Sequence, residues 1–150
     1  MERDQSLISL DIVIPVYNEE KVLDLLFQKL QTVFSIEDQK KHLLKSVRYI
    51  LVDDGSADQS AEIICRHIAS GVPVVLHRLS RRFGQQSAVS AGFEKADADV
   101  VACIDADLQD PPEVIFEMIS KWRQGYDVVY GRRLKRKENF FKVAGYWMFY

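Results

Sequence analysis

The sequence predicts an α/β domain built on a mostly parallel sheet with helices packed against it. Short apolar runs alternate with longer stretches whose apolar residues recur at helical spacing. Alternation of that kind implies right-handed strand–helix–strand crossovers. Polar motifs fall just after the apolar runs, at the strand ends where open sheets carry their ligands.

Leu10 to Pro15 reads as the first strand. Residues 19–34 follow as a helix with a stripe of Val22, Leu26, Leu30 and Val33, and Asn18 is its expected N-cap. Residues 36–45 form a polar connection. Val47 to Val52 is the second strand, continuous enough to be buried on both faces. Ser56-x-x-Gln59 reads as a capping box before a helix with Ala61, Ile64, Cys65 and Ile68 on one face. Val74 to Leu79 is the third strand. Residues 84–96 form a helix whose small residues let it lie close to the sheet. Val100 to Ile104 is the fourth strand. Asp110 then reads as an N-cap, with Pro111 at the first helical position and Glu113 completing a capping-box-like pair. Ile115, Met118, Ile119 and Trp122 mark that helix, and Asp127 to Tyr130 is a fifth strand.

At 150 residues the chain is one domain's worth, large enough for a real core. With 47% hydrophobic and 28% charged residues and a net charge of −2, it fits neither disorder nor bulk binding of polyanions. Cys65 and Cys103 sit in apolar segments without metal-like spacing and read as reduced core residues of a cytosolic domain. His42, His67 and His77 are scattered and are expected at surface or edge positions. The N-terminus is no signal-peptide n-region, and no run reaches the length of a membrane span. The expected location is therefore the cytoplasmic face. The chain stops inside the aromatic segment Tyr146-Trp147-Met148-Phe149-Tyr150, which reads as truncation of a longer protein. Residues 1–137 form the expected domain. Residues 138–150, with Phe140, Phe141 and Trp147 behind Lys135, Arg136 and Lys137, suit the start of a membrane-interface helix. A core helix packing on further chain fits the same pattern.

The most informative stretch is Asp105-Ala106-Asp107-Leu108-Gln109-Asp110-Pro111-Pro112, directly after the fourth apolar run. Residues two apart on an extended chain point to one side, so Asp105 and Asp107 can serve one site. A hard divalent cation holding a diphosphate takes such oxygens. The first strand ends in Pro15-Val16-Tyr17-Asn18-Glu19-Glu20 and the second in Asp53-Asp54-Gly55-Ser56. Three acidic clusters thus converge on one edge, where their mutual repulsion calls for a metal, a base-binding role, or both.

In that order, these motifs resemble the inverting family 2 glycosyltransferases, whose nucleotide-sugar-binding domain is the Rossmann-like A type, over roughly residues 8–137. The Asp-Ala-Asp-Leu-Gln-Asp-Pro-Pro form, with the later Gly131-Arg132-Arg133, is similar to the polyprenyl-phosphate branch. That branch holds dolichol-phosphate mannose synthases and the undecaprenyl-phosphate glucosyl and aminoarabinosyl transferases of the bacterial cell envelope. The resemblance implies that Pro15, Tyr17 and Glu19 line the nucleotide base, with Val52 and Asp54 closing the base and ribose pocket. It implies further that Asp105 and the backbone of Ala106 meet the nucleoside. Asp107 and Gln109 would hold Mg²⁺ or Mn²⁺ against the diphosphate, and Arg133 would clamp phosphate, with Arg136 as a second contact. Asp53 is expected to support the turn rather than touch ligand. Relatives often have Asn before the Phe83-Gly84 pair, where this chain has Arg82.

Aromatic stacking and carboxylate acceptors suit a base and ribose. Asp107 and Arg133 are the expected catalytic pair. A lipid phosphate is already an anion at neutral pH, so it needs positioning rather than deprotonation. The expected reaction is transfer of a sugar from a nucleotide-diphosphate donor, UDP-sugar or GDP-mannose, to a polyprenyl phosphate at the membrane surface. The alternatives are transfer to a saccharide hydroxyl, or a nucleotide-sugar-binding module without turnover. The basic run at 131–137 is too short, and lacks an opposing basic face, for nucleic acid.

Overall fold

Alternate residues of the first strand, β1 (Ile8–Val16), serve opposite faces of one sheet. Ile8, Leu10, Ile12, Ile14 and Val16 enter the larger core, while Val13 enters a smaller one on the other side. The computed structural model describes residue 3 and residues 6–131. Within them β1 is followed by α1 (Leu23–Val33), α2 (Ile36–Lys41), β2 (Leu44–Asp53), α3 (Ser60–Ala69), β3 (Val74–Arg78), α4 (Gln85–Lys95), β4 (Val100–Cys103) and α5 (Val114–Arg123).

The strands lie in the order β3-β2-β1-β4 and every pairing is parallel. The chain steps outward from β1 to β2 and β3, then returns to β4 on the other side of β1. That reversal creates a switch point between β1 and β4, and the crevice beyond their carboxyl ends is where such sheets bind ligands. The larger face is covered by Leu26, Phe27 and Leu30 of α1, Ile63 and Ile64 of α3, and Ile115 and Ile119 of α5. On the other face α4 presses its Ala88 onto Val13, Ile50 and Val52. A Cβ at Gly92 would stand 2.3 Å from Val13 Cγ1, so α4 lies as close to the sheet as its small residues predict.

The helix starts differ from the sequence expectation. Two of the side chains expected to cap them, Asn18 and Ser56, bond across loops instead. Asn18 adopts φ +55, and its Oδ1 accepts from Ala57 N at 2.9 Å, so α1 begins only at Leu23. Ser56 Oγ accepts from Asn18 N, and α3 begins at Ser60. On that helix Ile63 and Ile64 are buried while Cys65 and Ile68 are exposed. Helix α5 begins at Val114 rather than Pro111, because a residue preceding proline is pushed out of the helical region and Pro111 precedes Pro112. Glu113 pairs with Lys29 on α1.

Further differences concern the chain's edges. The polar connection contains the short helix α2, capped by Ser35 Oγ accepting from Asp38 N. Asp127 to Tyr130 is not a strand: Val128 and Tyr130 are 80% and 82% exposed, and no described strand pairs with them. Cys103 is exposed rather than buried because it sits on β4, one of the two edge strands among the described residues. His67 fits the edge expectation, stacking on Phe27 with ring centroids 3.9 Å apart and bonding Asp24 at 2.8 Å.

Candidate functional site

At the switch point the strand ends enclose a cavity of about 300 Å³. Pro15, Val16, Tyr17 and Glu19 line it from the loop after β1, and Asp54 from the end of β2. Arg82, Gln85 and Ala88 line it from α4 and the turn before it, and Asp105, Ala106 and Asp107 from the turn after β4.

Polar bonds between loops hold these walls. Asn18 N donates to Ser56 Oγ at 2.9 Å, Glu19 N to Ser60 Oγ at 2.9 Å, and Glu20 N to Asp58 Oδ2 at 3.1 Å. The loop after β1 is thereby tied to the loop after β2. Asp54, buried, accepts Phe83 N and Gly84 N on its two oxygens at 2.7 and 2.8 Å, fixing the turn that starts α4. Gly55 makes this approach possible. It sits at φ +74, and a Cβ there would come within 2.7 Å of the backbone of Arg81 and Arg82. Gln85 Nε2 then reaches across to Asp105 Oδ1 at 2.8 Å.

The turn after β4 is tight. Leu108 holds φ +58, a region uncommon for a bulky residue, and Gln109 N donates to Asp107 Oδ1 at 3.0 Å. Asp105 and Asp107 stay exposed on the cavity wall, while Ala106 is buried in the core. Burial first, then the negative charges of Asp107, Asp58 and Asp105, hold the Glu19 carboxyl above its ordinary value. This net negative field, four carboxylates against the single cation of Arg82 among the lining residues, suits a hard cation, and carboxylate and amide oxygens are its preferred ligands. Among the described residues no three His, Cys, Asp or Glu side chains gather closely enough to cage one. An ion here would take its remaining ligands from phosphate and water.

Seven of the residues singled out from sequence meet around this cavity: Pro15, Tyr17, Glu19, Asp54, Asp105, Ala106 and Asp107. Val52 does not. It is fully buried beneath α4 and presents no surface to the cavity. Gln109 is exposed one turn beyond the lining residues. Asp53 is wholly buried and supports the turn, its Oδ1 accepting Ser56 N at 2.9 Å. Arg78 Nε lies 3.1 Å from Asp53 Oδ2, without the angle of a hydrogen bond. Arg133, Arg136 and the segment 138–150 lie outside the described residues. Sequence reasoning missed Gln85, and it noted Arg82, in the basic turn Arg81-Arg82 before α4, only as a departure from relatives. Arg82 reaches the cavity, its guanidinium carbon 4.2 Å from the centroid of the Tyr17 ring. The signal was present in its position, next to the glycine that opens α4.

The family description "Glycosyl transferase family 2" matches residues 11–148. The chain is 46% identical over 144 residues to an uncharacterized glycosyltransferase, YkcC, of Bacillus subtilis, covering 95% of this chain and 43% of that protein. It is 41% identical over 134 residues to the undecaprenyl-phosphate 4-deoxy-4-formamido-L-arabinose transferase of Photorhabdus laumondii, covering 87% of this chain and 39% of that one. The chain thus spans less than half the length of these relatives. Among solved structures, a mannosyltransferase from Pyrobaculum calidifontis, in complex with GDP-Man and Mn²⁺, superposes with a TM-score of 0.66. That match covers 95% of this chain and 40% of the mannosyltransferase at 18% identity, a likeness of fold.

Proposed function

Because this chain belongs to glycosyl transferase family 2, we propose that it carries the donor half of an enzyme moving a sugar from a nucleotide diphosphate to a polyprenyl phosphate. One observation carries the reading. The motifs after β1, β2 and β4, distant in sequence, form the walls of one cavity at the switch point of an A-type glycosyltransferase fold. The acceptor class is supported by the relatives named as undecaprenyl-phosphate transferases.

In this reading Tyr17 offers a stacking face to the base, and Glu19 and Asp54 accept from base N–H groups or ribose hydroxyls. Asp54 also keeps the wall in place through its two backbone bonds. Asp105, held by Gln85, faces the nucleoside beside the Ala106 backbone. Asp107 and Gln109 would hold Mg²⁺ or Mn²⁺, which when bound supplies positive charge against the departing diphosphate. Arg133 belongs to the proposal as the phosphate clamp. The acceptor is anionic at neutral pH, so the protein's task is to bring two phosphate-bearing groups together in a fixed line rather than to remove a proton. Residues 138–150 and the chain beyond them are proposed to meet the membrane surface from its cytoplasmic side. Among the described residues no helix is long and apolar enough to cross a membrane.

The test is transfer itself. The full-length protein, incubated with radiolabelled UDP-sugars or GDP-mannose, Mn²⁺ and undecaprenyl phosphate in detergent, should form a labelled glycolipid. Label appearing only on a saccharide hydroxyl acceptor would overturn the acceptor assignment. Failure to bind any nucleoside diphosphate would overturn the site.

A further inference from the structure

Arg82 stands out among the lining residues for its charge. The cavity presents Glu19, Asp54, Asp105 and Asp107, and Arg82 is the one cationic side chain among its described lining residues. Its neighbours in the basic turn are engaged elsewhere: Arg81 lies over Phe83 at 4.5 Å and Arg78 beside Asp53. Arg82 makes no ion pair among the described residues, and its guanidinium rests on Tyr17 instead. The backbone beneath it is fixed. Its N lies against Gly55, and the following Phe83 N and Gly84 N are held by Asp54. A fixed backbone with an exposed, weakly held side chain lets the guanidinium change rotamer without moving the wall.

Two ligand groups compete for these positions. A base stacking on Tyr17 needs the ring face that the guanidinium covers. A diphosphate entering a cavity lined by four carboxylates needs a cation, and a planar guanidinium is the group that can bridge phosphate oxygens. We infer that Arg82 is a donor-recognition residue with two positions. It covers the Tyr17 face in the free protein, yields that face to the base, and then engages the diphosphate. This rests on the proposed nucleotide site and adds to it a preference for diphosphate over bare nucleoside.

The test is calorimetry on the intact protein, with Mn²⁺, using uridine and UDP, and guanosine and GDP in parallel. The pair that the unaltered protein binds is the pair compared. Arg82→Ala should bind the nucleoside about two- to fivefold more tightly, since a surface cation–π contact no longer competes. The same variant should bind the diphosphate about tenfold more weakly. Arg82→Lys should show a smaller nucleoside gain than Arg82→Ala, since an ammonium can still rest on the ring, and keep part of the diphosphate affinity, because it retains the charge without the planar fork. Parallel weakening of both ligands would mean that Arg82 merely supports the wall, and unchanged affinities would mean that it takes no part. Either result overturns the inference while leaving the site standing. If the unaltered protein bound neither diphosphate, the site reading would fall and this inference with it.

Discussion

The carboxylate of Asp54 accepts the backbone N–H of Gly84 at 2.8 Å, joining the end of β2 to the start of α4 across the candidate site. Its other oxygen accepts Phe83 N at 2.7 Å, so one side chain satisfies two donors that the turn would otherwise leave open. Asp54 is thus both a lining residue and the clamp that sets the cavity's far wall. Asp54→Ala should cost about 1–3 kcal/mol, the scale of stranding such donors. Asp54→Asn should cost less, since its amide oxygen still accepts one of them. Urea unfolding of both variants checks the order. Equal losses would show that charge, rather than acceptor count, governs this contact.

Gly92 is a packing requirement. A Cβ there would meet Val13 Cγ1 at 2.3 Å and Val52 Cγ2 at 3.2 Å, both within the tightly packed smaller core. Alanine gains about 1 kcal/mol of helix propensity over glycine. Overpacking of a close-packed core costs about 1–3 kcal/mol, and a 2.3 Å approach belongs at the severe end. Gly92→Ala should therefore lower the urea midpoint. Adding Val13→Ala should recover part of that loss, as a double-mutant cycle would reveal. Simple addition of the two losses would show that the helix moves aside instead.

The sheet, its parallel order and the cavity's acidic walls were legible because they rest on patterns with a fixed period and on strand ends. The continuous apolar runs around Val13 and Val52 could be buried only in a sheet covered on both faces. The helix starts were not legible, for a physical reason. Asn18 and Ser56 have the side chains of caps, but each spends an oxygen on a loop distant in sequence, and a local pattern cannot reveal that partner. Val52 was placed in the pocket by the family resemblance, whereas its side chain is buried against Ala88 of α4. Cys103 lies on an edge strand and Asp127 to Tyr130 pair with no described strand, and apolar composition does not tell an edge from a centre.

Glu19 makes the site's charge measurable. Its carboxyl is held above the ordinary value by burial and then by Asp107, Asp58 and Asp105, so the folded protein keeps this proton to a higher pH than the unfolded chain does. Stability therefore falls as pH rises from the unfolded value through the folded one, and the cost is fully present above it. Without metal, Glu19→Gln should raise the thermal midpoint at pH 7 and leave it nearly unchanged at pH 3, where both states are protonated. Added Mn²⁺ and UDP should reverse the ranking at pH 7, since the cation compensates the charge that the variant lacks. A stability difference independent of pH would show that the charge of Glu19 is not the cause.

Asp107 and Asp53 are both acids at strand ends, yet the structure gives them opposite work. Asp53 is wholly buried, accepts Ser56 N, and lies beside Arg78. Asp107 is exposed on the cavity wall, where one oxygen receives Gln109 N. Removing charge at the buried position should disturb folding. Asp53→Asn is expected to lose about 1–3 kcal/mol of stability, because its amide N–H₂ must then face groups arranged for a carboxylate. Its folded fraction should still bind UDP with an affinity that rises on adding Mn²⁺. Asp107→Asn should change stability by no more than about 0.5 kcal/mol, as exposed substitutions do. Its affinity for UDP in the presence of Mn²⁺ should fall about tenfold, the scale of one charge-assisted contact, and its affinity without metal should hold. Unfolding curves and calorimetry with and without Mn²⁺, run on both variants, separate the two roles. If both variants lost Mn²⁺-dependent affinity equally at full folding, the cation would not be held at Asp107, and the metal's place in the proposed site would have to move toward Glu19 and Asp105.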